Sequence, residues 1–167
     1  MRHTRRISSA ARAYRLRYPD GPHNAEALLV HPRTGGLYIV TAAGAKDRDT
    51  RVYVARAREL KKQSVTLTAL ATLGMPAPLF ARLVGGIAGG EVSPGGHGVA
   101  LCDCFRIYEA GLPRGSADFD AIWEQQFRPA TVGLGLEVEG VCFRADGKAI
   151  IATSRGSPAA VFEIVPQ

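Results

Sequence analysis

The most regular feature of the sequence is an apolar run, a polar turn and a second apolar run, and it occurs three times. The copies are AEALLVHPRTGGLYIVTA (25–42), AGGEVSPGGHGVALCDC (88–104) and EGVCFRADGKAIIATS (139–154). Each turn combines Gly with Pro or Asp, the residues that tight turns favour. With Pro32, Pro94 and Ala145 superimposed, the copies are offset by 62 and 51 residues. The pattern predicts three β-hairpins within an internal repeat.

Further short apolar segments follow each hairpin. They are RVYVARA (51–57) and VTLTALATL (65–73), FRIYEA (105–110) and ATVGLGLE (130–137), and AAVFEIV (159–165). Each unit is therefore predicted to form up to four short strands. Four-stranded units at this spacing are typical of β-propeller blades. We expect an all-β fold with about three blades, at 24–75, 87–137 and 138–167.

The second unit contains an insertion that predicts one helix at about 116–127. Ser116 is placed to cap it. Apolar residues then follow at spacings of three and four, namely Phe119, Ile122, Trp123 and Phe127. A stripe at this spacing lies on one face of a helix, so we expect the insertion to pack against its blade.

The segment ARAYRLRYP (11–19) precedes the first hairpin and reads as one outer strand, with Tyr14, Leu16 and Tyr18 on one face. Three blades make a half propeller, whereas natural propellers carry 4–8 blades. One interpretation is a strand-exchanged, six-bladed homodimer, in which this face packs near Val161 and Ile164 of the second copy. The other interpretation is a truncated gene product that is only partly ordered.

Two of the turns support a family resemblance. SPGG (93–96) and RADGK (144–148) resemble degenerate copies of the SPDG turn of bacterial six-bladed and WD40-like β-propellers, and residues 18–41 resemble blades of uncharacterised actinobacterial propeller proteins. The resemblance covers 18–167 and implies that the chain corresponds to the C-terminal half of such a protein. These turns are common to many propellers, so the resemblance implies a fold more than an activity.

The resemblance also implies a place for carboxylates. Propellers with Glu-Gly or Glu-Ala at the start of the inner strand can direct the carboxylate to the mouth of the central channel, sometimes onto calcium. Glu26 and Glu139 occupy this position here, with Glu91 as a further candidate, although Ala88 breaks the pattern in the middle copy. Calcium would suit clustered carboxylates, because hard cations prefer oxygen ligands. The alternative, which we favour because Ala88 breaks the pattern, is that these carboxylates bond neighbouring backbone amides or water and that the protein has no cofactor.

Two functional classes remain open from the sequence. The first is a non-catalytic binding scaffold for a ligand or a protein partner, which the lack of a recognisable catalytic motif favours. The alternative is a divalent-cation-dependent hydrolase, of the phosphoesterase or lactonase kind, that uses the carboxylates at the channel mouth. His23 and Asp20 lie on the same expected face as Glu26 and are further candidates for ligand binding.

The net charge of +6 is concentrated at the N-terminus. Six arginines precede the first acidic residue, Asp20, and the remaining basic and acidic residues balance. The basic arm at 1–10 could contact an anionic surface, but no aromatic RNA-binding signature or basic recognition helix accompanies it. We therefore expect no nucleic-acid partner. No apolar run reaches membrane-spanning length and no signal peptide is written here, so we expect a cytoplasmic protein without a membrane contact.

The three cysteines are Cys102, Cys104 and Cys142. An odd count without a secretion signal predicts reduced thiols. The C-x-C pair, together with His97 or Cys142, could bind a soft metal. Free cysteine is more often a small buried hydrophobe, so we expect all three thiols to be packed in the core.

Overall fold

The fold consists of short strands arranged in four small sheets. A computed structural model describes residues 11–43, 49–75, 86–131 and 137–165. Its strands are β1 (Arg15–Arg17), β2 (Ala25–Val30), β3 (Leu37–Thr41), β4 (Thr50–Ala55), β5 (Ser64–Thr66), β6 (Thr68–Leu73), β7 (Gly89–Val92), β8 (Gly98–Cys102), β9 (Arg106–Gly111), β10 (Arg128–Thr131), β11 (Val138–Phe143), β12 (Ile150–Ser154) and β13 (Val161–Ile164). Two short 3₁₀ helices span Glu59–Lys61 and Phe119–Glu124. The prediction of an all-β chain is confirmed.

Three of the sheets are antiparallel and follow the order of the chain. The first sheet has the order β2-β3-β4-β6, the second β7-β8-β9-β10 and the third β11-β12-β13. The three predicted hairpins are confirmed, with Leu28 opposite Ile39 in the first sheet, Glu91 opposite Ala100 in the second and Cys142 opposite Ile151 in the third. The first strand of each sheet lies beside the first strand of the next, β2 beside β7 and β7 beside β11.

A buried polar side chain closes the turn after the second strand of each sheet. Thr41 Oγ1 accepts from the backbone N–H of Arg51 at 2.8 Å, and Asp103 Oδ1 accepts from that of Arg106 at 2.8 Å. Ser154 Oγ accepts from the N–H of Ala160 at 2.9 Å. Residues 41, 103 and 154 are separated by the same 62 and 51 residues as the three hairpins. At this aligned position, three different residue types therefore each accept a hydrogen bond from a backbone N–H of the turn that follows.

The apolar core lies between the sheets. Leu29, Val40 and Val52 of the first sheet face Val99 and Leu101 of the second. The opposite face of the second sheet packs on the third, through residues that form a separate cluster, Ala100, Cys102, Ile107, Val138, Ile150 and Ala152. The second sheet is consequently buried on both of its faces, and its strand β8 is apolar on both sides.

The predicted insertion is confirmed as a helical element that packs on the core. Phe119, Ile122, Trp123 and Phe127 are all buried between the first two sheets. The helix is shorter than the predicted 116–127 and is a 3₁₀ helix, and its cap is Asp118 rather than Ser116. Asp118 Oδ1 accepts from the N–H of Asp120 at 3.0 Å. The Ser116 hydroxyl instead donates to the carbonyl of Asp118.

The N-terminal segment differs from its prediction. It forms a strand only at Arg15–Arg17, which pairs in parallel with β5 of the same chain, with Leu16 opposite Val65. The outer strand predicted at 11–19 is therefore shorter than expected, and its partner is a strand of its own chain. The predicted strand 65–73 is divided at Leu67 into β5 and β6, and this division leaves β5 free to pair with β1.

The β1–β5 pair covers part of the outer face of the first sheet. Leu16 and Tyr18 pack against Tyr53 in a third apolar cluster, and the Tyr18 and Tyr53 rings meet edge to face at 4.9 Å. Tyr14 remains exposed, with the Arg12 guanidinium 4.9 Å from its ring centre. Of the three residues expected at an interface with a second copy, Leu16 and Tyr18 therefore pack within their own chain, and only Tyr14 is exposed.

Neither short helix of the described ranges has the length and apolar character needed to cross a membrane. The basic arm at 1–10 lies outside the described residues.

We expect truncation of Ile122 to destabilise the fold in steps. The side chain is fully buried between the first two sheets. Ile122→Val should lower the free energy of unfolding by about 0.5–1.5 kcal/mol, and Ile122→Ala by about 2–5 kcal/mol, because each removes buried methyl groups and leaves a cavity. Urea unfolding followed by circular dichroism measures both. Equal stability of the two variants and the unmodified chain would contradict burial of the insertion.

Candidate functional site

The tips of the hairpins lie at one end of the sheets and form the hairpin face, defined by residues 31–36, 93–97 and 144–149. Arg33 in the first tip donates through Nη2 to His97 Nε2 in the second, at 3.2 Å. The second tip reaches the third, since a side chain at Gly147 would contact Pro94. The three turns therefore form one continuous surface.

A cleft of about 770 Å³ opens on this face between the first and second sheets. Its charged and polar lining comes from the first two tips, the end of β4 and the insertion. Among these residues are Arg33, Arg56, Arg58, His97, Asp118 and Asp120. Phe119 and Leu112 provide apolar walls. The cleft lies within the size range of small-molecule sites, about 300–1,000 Å³.

His31 lies at the floor of the cleft and holds the first hairpin tip, which forms one wall of the cleft. The side chain is buried, and its Nδ1 accepts from the backbone N–H groups of Arg33 and Thr34 at 3.3 and 3.1 Å. Its ring meets Phe119 edge to face at 4.5 Å. Burial lowers the pKa of His31, so the ring is neutral near pH 7. The imidazole thus acts as a rigid acceptor that holds the first hairpin tip.

A second network joins the insertion to the first sheet. Asp120 accepts from the Tyr38 hydroxyl at 2.8 Å and from two guanidinium nitrogens of Arg56, one of them at 3.0 Å. Burial opposes ionisation of Asp120, but the bonds from Arg56 and Tyr38 outweigh it and hold the pKa below its usual value. Burial, followed by the bond to Asp120, raises the pKa of Tyr38. Arg56 and Asp120 therefore neutralise each other within the cleft wall.

Two of the residues predicted at the channel mouth, Glu26 and Glu139, lie at the ends of their strands away from the hairpin face, whereas Glu91 lies next to the second hairpin tip. Glu26 and Glu139 are exposed at the starts of β2 and β11. Glu91 accepts a short hydrogen bond from the backbone N–H of Phe143, and Glu139 lies 3.6 Å from the Arg155 guanidinium. Within residues 11–43, 49–75, 86–131 and 137–165, no three His, Cys, Asp or Glu side chains are placed to hold a metal.

Asp20 and His23 are brought together, but by partners that the sequence did not indicate. His23 Nε2 lies 3.0 Å from Asp20 Oδ1 and 2.9 Å from the Tyr53 hydroxyl. Tyr53 and Arg51 of β4 both donate to Asp20 Oδ2, at 2.7 and 2.9 Å. The bond from Tyr53, first among several, lowers the pKa of Asp20. This network ties the loop before β2 onto the first sheet, which is a structural task.

The cysteines fall into three environments. Cys102 is buried in β8, Cys104 is partly exposed after the strand, and Cys142 is exposed on β11. The expectation of three packed thiols is wrong for Cys142, because its side chain points to the face of the third sheet that no described sheet covers. Burial raises the pKa of Cys102 to about 12. Burial also raises the pKa of Cys104.

Comparison with protein-family models and with curated proteins finds no significant match to this chain. The resemblance to bacterial propellers therefore rests on the turn sequences and the hairpin pattern alone. The hairpin-face cleft is the site whose geometry is most fully defined, and its key charges, Arg56 and Asp120, carry no sequence motif. The only signs of this ion pair in the sequence are a basic residue directly after β4 and an acidic residue shortly after the cap Asp118.

We expect the Asp120 network to make stability depend on pH. Because the pKa of Asp120 is lowered in the folded state, its contribution is full above the unfolded value, about 4, and is lost as the pH falls through the folded pKa. Asp120→Asn should therefore lower the melting temperature at pH 7, and the deficit should shrink towards pH 2–3. Asp49→Asn, at an exposed position, is the matched control. A deficit that is constant over this pH range would show that the Asp120 charge is not the stabilising element.

We expect the three thiols to react at different rates in the dilute native protein. Cys142 should react with an aromatic disulfide reagent at once, and Cys104 more slowly. Cys102 should react only on unfolding, because the thiolate is the reactive form and burial suppresses it. Absorbance of the released thiolate measures the rates, and Cys142→Ser should remove the fast phase. Retention of the fast phase in that variant would contradict the assignment.

Proposed function

We propose that the protein is a non-catalytic binding scaffold whose three sheets are propeller-like blades, and that two copies combine into a six-bladed ring. The sheets support this reading because each follows the chain from an inner to an outer strand, and their inner strands β2, β7 and β11 lie side by side. Stacked four-stranded sheets around a common axis are the architecture of propellers.

The observation that carries the proposal is the position of β1 on the first sheet. The outer strand β6 of the first sheet contributes Leu73 to the cluster shared with the second sheet, and β10 of the second contributes Ala130 to the cluster shared with the third. In the same manner, β1 contributes Leu16 to the cluster on the open face of the first sheet. β1 thus takes the place of an outer strand at one end, while the third sheet has only three strands in the described chain.

Apolar side chains are exposed at both of these ends. Leu28 and Val30, on the first strand of the first sheet, are 60% and 52% exposed, and Val161 on β13 is 70% exposed. β13 forms one edge of its sheet, and unpaired edges favour pairing with another chain. If the third sheet of one copy docks on the first sheet of the other, β13 can pair with the side of β1 that no described strand occupies. The side chains of Leu16 and Tyr18 pack within their own chain, so among the three expected interface residues only Tyr14 has a side chain that is available to the partner copy.

We expect the protein to have twice the mass of the chain by light scattering. Leu28→Asp and Val161→Asp place a charge at opposite ends, so each should yield a monomer, because burying an unpaired charge is costly. Gln126→Asp adds the same charge at an exposed site on neither end and is the control. The contact joins unlike ends, so a ring of two copies contains it twice.

Mixing the two monomeric variants provides the sharper test. A mixed dimer contains one contact with both substitutions and one contact with neither, so association should be partly restored. Cys142 lies on the same open face as Val161, and its reaction with thiol reagents should slow as the protein concentration rises. A monomeric unmodified chain, or variants that fail to complement each other, would refute the end-to-end contact.

A further inference from the structure

We propose that the hairpin-face cleft binds a small anionic molecule, with a carboxylate or phosphate group held by Arg33 and Arg58 and an apolar part packed against Phe119 and Leu112. This deepens the proposed scaffold function by naming a ligand class, and it rests on that function only in treating the cleft as a binding site. It does not depend on the association of two copies.

The cleft contains positive charge that the described protein does not neutralise. Arg56 is fully engaged by Asp120. Within the described ranges, neither Arg33 nor Arg58 forms an ion pair with a carboxylate, and both are exposed at the cleft. The remaining acidic residue, Asp118, uses Oδ1 to cap the 3₁₀ helix and its charge acts on Arg56. The three arginines and two aspartates of the lining leave the cleft with a net charge of +1, and the guanidinium groups of Arg33 and Arg58 have no carboxylate partner in the described ranges.

Arg33 is held in place before any ligand arrives. Its backbone N–H donates to the buried His31, and its Nη2 donates to His97. Gly96, with φ of +70°, makes this approach possible, since a Cβ there would lie 3.0 Å from the His31 ring and 3.2 Å from Arg33 Nε. A guanidinium has five N–H donors, so one bond to His97 leaves a pair free for an oxyanion. A pre-positioned guanidinium loses less entropy on binding.

The surroundings restrict the class of anion. Asp118 and Asp120 line the same cleft as the arginines, and carboxylates repel an extended polyanion such as a nucleic acid. The apolar walls and the volume of about 770 Å³ fit a drug-sized molecule. A single oxyanion joined to an apolar group therefore matches the site better than a bare inorganic ion, which would leave the Phe119 wall unused.

Binding is tested by isothermal titration calorimetry with benzoate, phenyl phosphate, inorganic phosphate and the neutral benzyl alcohol as probes. We expect benzoate or phenyl phosphate to bind at millimolar concentration or better, and more tightly than inorganic phosphate or benzyl alcohol. The tighter of the first two identifies the oxyanion. Affinity should fall as the salt concentration rises, since exposed charges are screened.

Variants locate the binding to the cleft. Arg33→Gln or Arg58→Gln should weaken binding of the better probe about tenfold or more, because each removes charge-assisted hydrogen bonds. Arg33→Lys, which keeps the charge but not the planar fork, should lose an intermediate amount. Arg155→Gln, at an exposed arginine directly after β12, is the matched control and should bind normally. Melting curves confirm that each variant folds.

The outcomes separate the two proposals. Arg33→Gln should leave the mass in solution unchanged, whereas Leu28→Asp should alter the mass and leave probe binding intact. Three results would each overturn the anion site. They are no heat from any probe at about 10 mM, binding of benzyl alcohol as tight as that of the anions, and binding by Arg33→Gln and Arg58→Gln as tight as that by the unmodified chain. None of these results would bear on the end-to-end contact.

Discussion

The middle strands of the sheets are apolar on both faces, and the remaining structure follows from the need to cover those faces. In β4, the consecutive residues Val52, Tyr53 and Val54 are all buried, so the first sheet requires a cover on each side. The second sheet covers one side and the β1–β5 pair covers the outer part of the other. A strand that is apolar on one face would have permitted a single open layer with one side in water. Here the sheets must stack.

Stacking brings strand ends and turns together away from water at the seams, which are the boundaries between neighbouring sheets. The polar groups there need hydrogen-bond partners within the protein. The chain provides them through a few side chains that bond across the seams. Asp120 receives Tyr38 and Arg56 from the first sheet, and Glu91 receives a backbone N–H from the third. Thr41, Asp103 and Ser154 do the same for the internal turns. The hairpin-face cleft is the part of the first seam that these bonds leave open.

The features that could be predicted from the sequence are those with local causes. The hairpins depend on turn residues within six positions of each other, and the burial of Ile122 depends on a spacing within one helical turn. The parallel pairing of Leu16 with Val65 could not be predicted, because 49 residues separate them and neither strand has a turn signal that points to the other. The bond from Arg56 to Asp120 spans 64 residues. The channel-mouth carboxylates came from a family resemblance, and the structure gives Glu91 a backbone partner instead.

The face of the third sheet that no described sheet covers also bears on how such a chain could lengthen or shorten. A row of sheets that are apolar on both sides has two bare ends whatever its number of members, because each added sheet covers one end and exposes another. Duplication of a hairpin unit would leave the exposed apolar surface, carried here by Leu28 at one end and Val161 at the other, almost unchanged. The exposed apolar surface at the ends therefore places little restraint on the number of units in such a row.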